Sequence, residues 1–261
     1  MAPFRALHTT YSAIVFCILF FFFFWPLLIP IIFPSQFHLV GIINRWWARL
    51  FFTLSFLPFR VELRANLDPK AQYIFCPNHF SYLDIPTMGL NPHNTIFVGK
   101  NDMERVPLFG FMYRKLHITV DRSRLKSKFN TLLQSLKALD EGKSLVIYPE
   151  GGIVTHHPPQ MARFKDGAFR AAIEKQIAIV PVTIPDNWII LPDKKKLRLV
   201  FGTVSVIFHE PIETKGLGME HMDLLKHQVF EVIQTELNKH HEHRPTNAAQ
   251  DSPPGQVGSK A

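Results

Sequence analysis

Two residues able to share a proton, His79 and Asp84, stand five apart in the stretch IFCPNHFSYLDIP, residues 74–86. An imidazole whose Nδ1–H is held by a carboxylate has a fixed tautomer and presents Nε2 as a general base. Whether the two meet depends on the backbone between them. Along one continuous helix, five residues turn the chain by about 500°, and the side chains leave from different faces. If His79 closes a strand and Asp84 opens the next helix, the carboxylate can point back at the ring. The competing reading is a capping box, with Ser81 and Asp84 as an S-x-x-D helix start and His79 as a turn residue. The spacing leaves both open. Ser81 does not read as a nucleophile, because the chain has no G-x-S-x-G elbow and Ser81 sits in a capping position. Cys76 falls inside a predicted buried strand and fares no better.

A second cluster is YPEGG, residues 148–152. Glu150 follows a predicted strand, and Gly151 and Gly152 leave open backbone amides beside it. Open α/β sheets bind ligands at strand ends, so this is a candidate site edge; the competing reading is a plain turn. A third feature is basic. Between residues 98 and 128 there are eight Lys/Arg and three Asp/Glu, a local excess of five positive charges. Arg122, directly after the predicted strand HITVD, is the best candidate for phosphate, because a guanidinium matches phosphate oxygens in pairs.

These residues need elements to hold them. QYIFCP, NTIFVGK, HITVDR, SLVIY and IAIVPVTIP read as strands, and KLRLVFGTVSVIFHEPI as one or two more. SYLDIPTMGL, VPLFGFMYRKL and DGAFRAAIEK read as helices between them. Leu125, Phe129, Leu132, Leu133, Leu136 and Leu139 recur every three or four residues and predict a helix over 123–140 with one apolar face. Met222, Leu225, Val229, Ile233 and Leu237 predict a final amphipathic helix over 219–239. Alternating strands and helices predict an α/β domain, a mixed and largely buried sheet flanked by helices, over residues 61–243. The polar, proline- and glycine-containing stretch 244–261 predicts a disordered tail. His240, His241 and His243 lie at its edge and read as solvated rather than metal-binding.

Residues 1–60 are different. Positions 11–33 form an uncharged run of 23 residues, and about 20 suffice to cross the hydrocarbon core. No small-x-small cleavage site follows Phe33, which argues against a signal peptide. Pro26, Pro30 and Pro34 interrupt the last third of the run, so the chain can bend back. In 45–60, Trp46 and Trp47 suit the headgroup layer, and Arg45 and Arg49 suit anionic phosphate. The segment therefore either spans once and then lies on the surface, or dips in as a two-helix wedge. Only Arg5 precedes the run, whereas Arg45, Arg49, Arg60 and Arg64 follow it, which puts the later domain on the cytoplasmic face. The net charge of +8 suits anionic partners, lipid headgroups or phosphorylated substrates. The membrane run and the lack of a nucleic-acid motif oppose a nucleic-acid partner. Two cysteines at unrelated positions suggest neither zinc site nor disulfide, and fit a reducing compartment.

NHFSYLD resembles the NHx4D motif of the glycerolipid acyltransferases, specifically the 1-acyl-glycerol-3-phosphate acyltransferase family. Three further blocks are similar and in the same order. They are GKNDMERVPLFGFMYRKLHITVDR, VIYPEGG, and FKDGAFRAAIEKQIAIVPVTI with its Pro181, so that the likeness covers about 61–212. The resemblance implies an α/β acyltransferase fold and an acyl transfer without metal or bound cofactor. His79 would take the proton of a lysolipid hydroxyl and Asp84 would orient it. Asn78 and Ser81 of the motif, Arg122, and the Glu150–Gly151–Gly152 turn would line the acceptor's glycerol phosphate. The donor implied is acyl-CoA or acyl carrier protein, the acceptor lysophosphatidate or another lysophospholipid such as a lyso-aminolipid, and the setting a lipid membrane. A non-catalytic membrane-surface binding protein is the rival from another class; the intact His79, Asp84 and Glu150 argue against it. One departure stands out. The family's third block reads Glu-Gly-Thr-Arg, and here it is Glu150-Gly151-Gly152-Ile153. The absent arginine leaves Arg163 or Lys165 as stand-ins.

Overall fold

The structure is a computed structural model that describes residues 2–100, 106–120, 125–193 and 196–242. Seven strands form one sheet in the order β1-β7-β6-β2-β5-β3-β4. They are β1 Phe59–Leu63, β2 Ile74–Pro77, β3 Thr95–Lys100, β4 Ile118–Val120, β5 Ser144–Ile147, β6 Ile179–Thr183 and β7 Val204–Phe208. Every neighbouring pair is parallel except β6 and β7. The central strand β2 is buried along its length, as is β6. This is why both read as unbroken apolar runs rather than alternating ones: helices cover both faces. Because β2, β5 and β6 run the same way, the loops leaving their C-terminal ends gather at one sheet edge.

Side chains alternate between the faces. Ile74 and Cys76 of β2, with Leu145 and Ile179, pack under α5 (Leu125–Asp140), α6 (Gly167–Lys175) and α8 (Met222–Glu242). Leu225, Val229, Ile233 and Leu237 of α8 are all buried there, as their spacing predicts. Phe75, Val146, Val180, Val182, Val206 and Phe208 point to the other face. That face is covered by the N-terminal helices α1 (Ala2–Ile32) and α2 (His38–Leu54), joined by a short turn at Pro34–Gln36. Ala48 and Phe52 of α2 are fully buried in this core. A buried phenylalanine contributes about 1.5–3 kcal/mol. Residues 2–58 thus pack on the same core as the sheet, and β1 already begins at Phe59.

Several local expectations are corrected. Pro26 and Pro30 do not interrupt α1, which runs on to Ile32; the reversal comes at Pro34. Trp47 stacks on Phe51 and meets Phe16 edge-on inside the hairpin. Arg45 donates to the carbonyls of Asn91 and Pro92. Only Trp46 and Arg49 of the four proposed headgroup residues face outward. In α5, Phe129 and Leu133 are exposed, 58% and 49%, and Thr131 and Ser135 are buried instead. Those two apolar positions lie about 60–100° round the helix from Leu132, beyond the strip that meets the sheet near its β4 edge. The stretch 196–212, read as one or two strands, supplies one, β7. The predicted helix over 81–90 shrinks to α3, Asp84–Met88. The predicted tail lies outside the described residues.

Candidate active site

Three loops meet at the shared edge: 78–83 after β2, 148–152 after β5, and 184–191 after β6. Asn78 stitches the first to the third. Its Nδ2 donates to the Ile184 carbonyl at 2.9 Å, and its Oδ1 accepts the Ile184 N–H at 2.7 Å. With both ends of this buried amide engaged, Asn78 is a strut between loops and is not turned toward a substrate.

Asp84 meets His79, and of the S-x-x-D capping box only the bond from the Ser81 N–H to Asp84 forms: α3 begins at Asp84 with Leu83 as its N-cap and no side-chain cap hydrogen bond. Asp84 Oδ2 accepts the Phe80 and Ser81 N–H groups at 2.8 and 2.9 Å, as a helix-start carboxylate does, and also lies 3.0 Å from His79 Nδ1. Its Oδ1 accepts from Asn187 Nδ2 at 2.9 Å. Asp84 is fully buried, and a buried carboxylate is tolerated only with such donors. Holding Nδ1–H on Asp84 leaves Nε2 as the acceptor, and the His79 side chain keeps 10% of its surface open. Ser81 accepts the Leu83 N–H and donates its hydroxyl to the Leu191 carbonyl at 2.7 Å. It too is a strut, and a hydroxyl so engaged is not a nucleophile. Burial pushes the Cys76 thiol far up, so it stays protonated and inert.

Tyr148 lies against His79, ring centres 4.1 Å apart and 25° from parallel, and donates its hydroxyl to the Asp84 carbonyl at 3.0 Å. Burial, and then the nearby Asp84, hold this phenol well above its usual range, so it remains a donor. Glu150 turns inward, 1% exposed. Its two oxygens accept the His79 N–H at 2.7 Å and the Ala162 N–H at 2.9 Å. Burial raises its carboxyl to about 7, against the opposing pull of those two bonds. Glu150 therefore holds the backbone that carries His79 and is not turned out to bind an acceptor. Gly151 has φ of 78°, and a side chain there would run into Lys165. The Lys165 backbone N–H donates to the Pro149 carbonyl at 2.8 Å, which keeps Lys165 beside the glycine turn. Arg163 goes elsewhere: it lines an open groove against α8 with Asp223, Lys226 and Phe230. Arg122 lies outside the described residues, as do 101–105.

Two contributors escape sequence reasoning. Asn187 opens α7 (Asn187–Ile190) and is fully buried beside Asp84; its only signal is its place just after a strand parallel to β2. His240 and His241, read as solvated, instead dock α8 onto the third loop. His240 Nε2 lies 2.9 Å from Asp186 Oδ2, and His241 Nε2 lies 3.1 Å from the Pro185 carbonyl. The chemistry this arrangement can do is proton transfer to Nε2 from an incoming hydroxyl.

A family model described as Acyltransferase matches residues 58–185. The chain is 26% identical over 197 residues to a 1-acyl-sn-glycerol-3-phosphate acyltransferase of Chlamydomonas reinhardtii, covering 75% of this chain and 58% of that protein's length. It is 29% identical over 192 residues to the lyso-ornithine lipid O-acyltransferase of Pseudomonas aeruginosa, covering 67% and 71%. Its fold is similar to the crystal structure of the 1-acyl-sn-glycerophosphate (LPA) acyltransferase PlsC of Thermotoga maritima, with a TM-score of 0.66 at 22% identity, covering 90% of this chain and 99% of that one. By sequence the chain is similar to the acyltransferases, 1-acyl-sn-glycerol-3-phosphate acyltransferases among them, and it shares the fold of one of them.

Proposed function

We propose that this protein moves an acyl chain from an acyl thioester, acyl-CoA or acyl carrier protein, to the free hydroxyl of lysophosphatidate. The observation that carries the reading is the buried Asp84 carboxylate 3.0 Å from His79 Nδ1. His79 Nε2 takes the hydroxyl proton as the oxygen attacks the thioester carbonyl. The new C–O ester forms, the C–S bond breaks, and the leaving thiolate takes the proton back from the imidazolium. General base catalysis contributes about 10²–10⁴-fold, and positioning of two substrates adds to it. Lys165, beside the Gly151 turn, is the better stand-in for the absent third-block arginine; Arg163 faces α8. The likeness to the algal 1-acyl-sn-glycerol-3-phosphate acyltransferase supports a lysophosphatidate acceptor. A lyso-aminolipid is the second reading, favoured by the missing arginine and by the lyso-ornithine lipid relative.

The substrate class suits the N-terminal hairpin. The helix segment Pro3–Ile32 is long and apolar enough to cross a membrane. Its outer face, with Ile14, Ile18, Phe21, Phe22, Trp25 and Ile29, is exposed, and only an apolar surrounding would bury it. Its inner face stays on the protein along much of its length. His8 bonds the Ser55 carbonyl, Thr9 takes the Leu199 N–H, and Phe20 packs on Phe109. This favours a hairpin wedge, residues 1–60, over a helix that leaves the domain to cross. Residues 61–243 then carry the chemistry, on the cytoplasmic face by the arginine distribution. The test is to offer the purified chain mixed lysolipids with acyl-CoA or acyl carrier protein, and to identify products by mass spectrometry. Acylated lysophosphatidate formed by wild type and not by His79→Ala is expected. Acylation confined to an aminolipid moves the acceptor to the second reading, and no acylation at all overturns the function.

A further inference from the structure

We infer that Asn187 is the positioning residue that aims the Asp84 carboxylate at the His79 base; this deepens the acyl-transfer reading and rests on it. A carboxylate offers about four lone-pair directions. Three donors converge on Oδ2: the Phe80 and Ser81 N–H groups and His79 Nδ1. Oδ1 receives its donor from across the interior, the Asn187 side-chain amide at 2.9 Å. That bond fixes the plane of the carboxylate, and with it the line along which Oδ2 meets the imidazole.

The hydrogen-bond network decides which end of the Asn187 amide faces Asp84. The Thr87 hydroxyl donates to the Leu83 carbonyl at 2.8 Å, so toward Asn187 it accepts. Asn187 Nδ2 lies 2.9 Å from Thr87 Oγ1 and has one hydrogen for it and one for Asp84. The NH₂ end is thereby spent on two acceptors. Asn187 Oδ1 is buried with no partner among the described residues. An unmet buried carbonyl costs stability, so the residue is not explained as a fold-stabilising contact. It is explained by what its NH₂ holds.

The mount is stiff. Asn187 sits in the loop 184–191, which is tied to the histidine motif by Asn78 through Ile184 and by Ser81 through Leu191. Trp188 Nε1 donates to the Pro185 carbonyl, and His240 and His241 of α8 pin Asp186 and Pro185 from outside. Three polar residues of the motif, Asn78, Ser81 and Asp84, each bond this one loop. A group held so tightly loses little on binding substrate, which is what a positioning role needs.

The experiment uses the full chain and two readouts: kcat and KM against pH, and an NMR titration of the His79 ring that needs no substrate. In Asn187→Ala the bare carboxylate concentrates its charge on the imidazolium. The acid limb of kcat and the ring titration are expected to move together to higher pH. kcat should fall about 10- to 100-fold, the weight of a hydrogen bond to a charged group, while KM for both substrates stays. Thr87→Val, which frees the other amide hydrogen, should shift both in the same direction and by less, and Thr87→Ser, restoring the acceptor, should recover most of that loss. An Asn187→Ala protein that folds with unchanged kcat and unchanged titration overturns the inference, as does a loss of kcat without any shift. Should Asn187→Ala not fold, an unmoved titration in Thr87→Val overturns it. If wild type acylates no lysolipid while the ring titration still shifts, the acyl-transfer reading fails and the positioning stands.

Discussion

Two buried histidines show how differently one fold treats the same side chain. His79, after β2, meets a carboxylate at 3.0 Å and a tyrosine face. His209, after β7, bonds the Thr183 hydroxyl at 2.8 Å, and burial drives its pKa down to about 4. His209 is a neutral packing residue at working pH; His79 has a partner that stabilises the charge it takes on as a base. The difference lies in strand direction. β2, β5 and β6 run in parallel and bring three loops, with Asp84, Glu150 and Asn187, to one edge. β7 is antiparallel to β6 and carries its histidine to the opposite edge, beside Arg64 and Glu236.

The largest expected effect breaks the comparison outright. His79→Ala should lower turnover about 10²–10⁴-fold at saturating donor with the fold intact, as general base loss does. His209→Gln should leave turnover near wild type. Equal losses from the two, measured on the same preparation with circular dichroism as the folding control, would mean that His79 is no more than a packing residue.

Next comes the anion end of the site. Lys165→Ala should raise KM for a phosphate-bearing acceptor about 10- to 100-fold, with donor KM unchanged. Arg163→Ala, on the α8 groove, should do neither. A reversed pattern in paired KM measurements would exchange the two residues' roles.

Glu150 sharpens the comparison through pH. Its folded pKa of about 7 lies above the ordinary carboxylate value of 4.5. Between those values the folded state holds a proton that the unfolded state has released. Its contribution to stability is therefore full below about pH 4.5 and is lost as pH rises through 7. Relative to Glu150→Gln, the wild-type Tm should fall over this window and level off above it. A difference that does not change from pH 4.5 to 8 would mean the carboxyl titrates normally. The smallest effect belongs to Tyr148→Phe, which keeps the stacked ring and removes the hydroxyl bond to the Asp84 carbonyl. About 1 kcal/mol, or roughly fivefold in kcat, is expected, and full activity would make the hydroxyl incidental.

Much of this site was legible locally. The end of β2 at a proline, the histidine next to it, and an aspartate at a helix start are all short-range features, and β5 with its glycine turn is another. Such features depend on a few residues of backbone chemistry, so spacing is enough to find them. The roles of Asn78, Ser81 and Glu150 were not legible. As motif neighbours they read as substrate contacts, yet each makes a hydrogen bond to another loop, at separations of 71 to 110 residues. Asn187 left no local signal because its partner, Asp84, is 103 residues away. The α5 face failed for a related reason: periodicity marks which residues are apolar, not how wide a strip the sheet edge leaves to cover.

By itself the sequence determined the alternation of strands and helices, the apolar N-terminal run, and the short-range geometry that lets Asp84 reach His79. Those follow from backbone propensity, hydrophobic period and turn chemistry within about ten residues. Only the tertiary structure decided that α1 and α2 roof one face of the sheet, that Asp84 meets His79 rather than closing a capping box with Ser81, and that the loops after β5 and β6 back the dyad. The physical reason is that a buried polar atom must find its partner wherever the sheet order brings one, and strand order β6-β2-β5 is set by packing of the whole core.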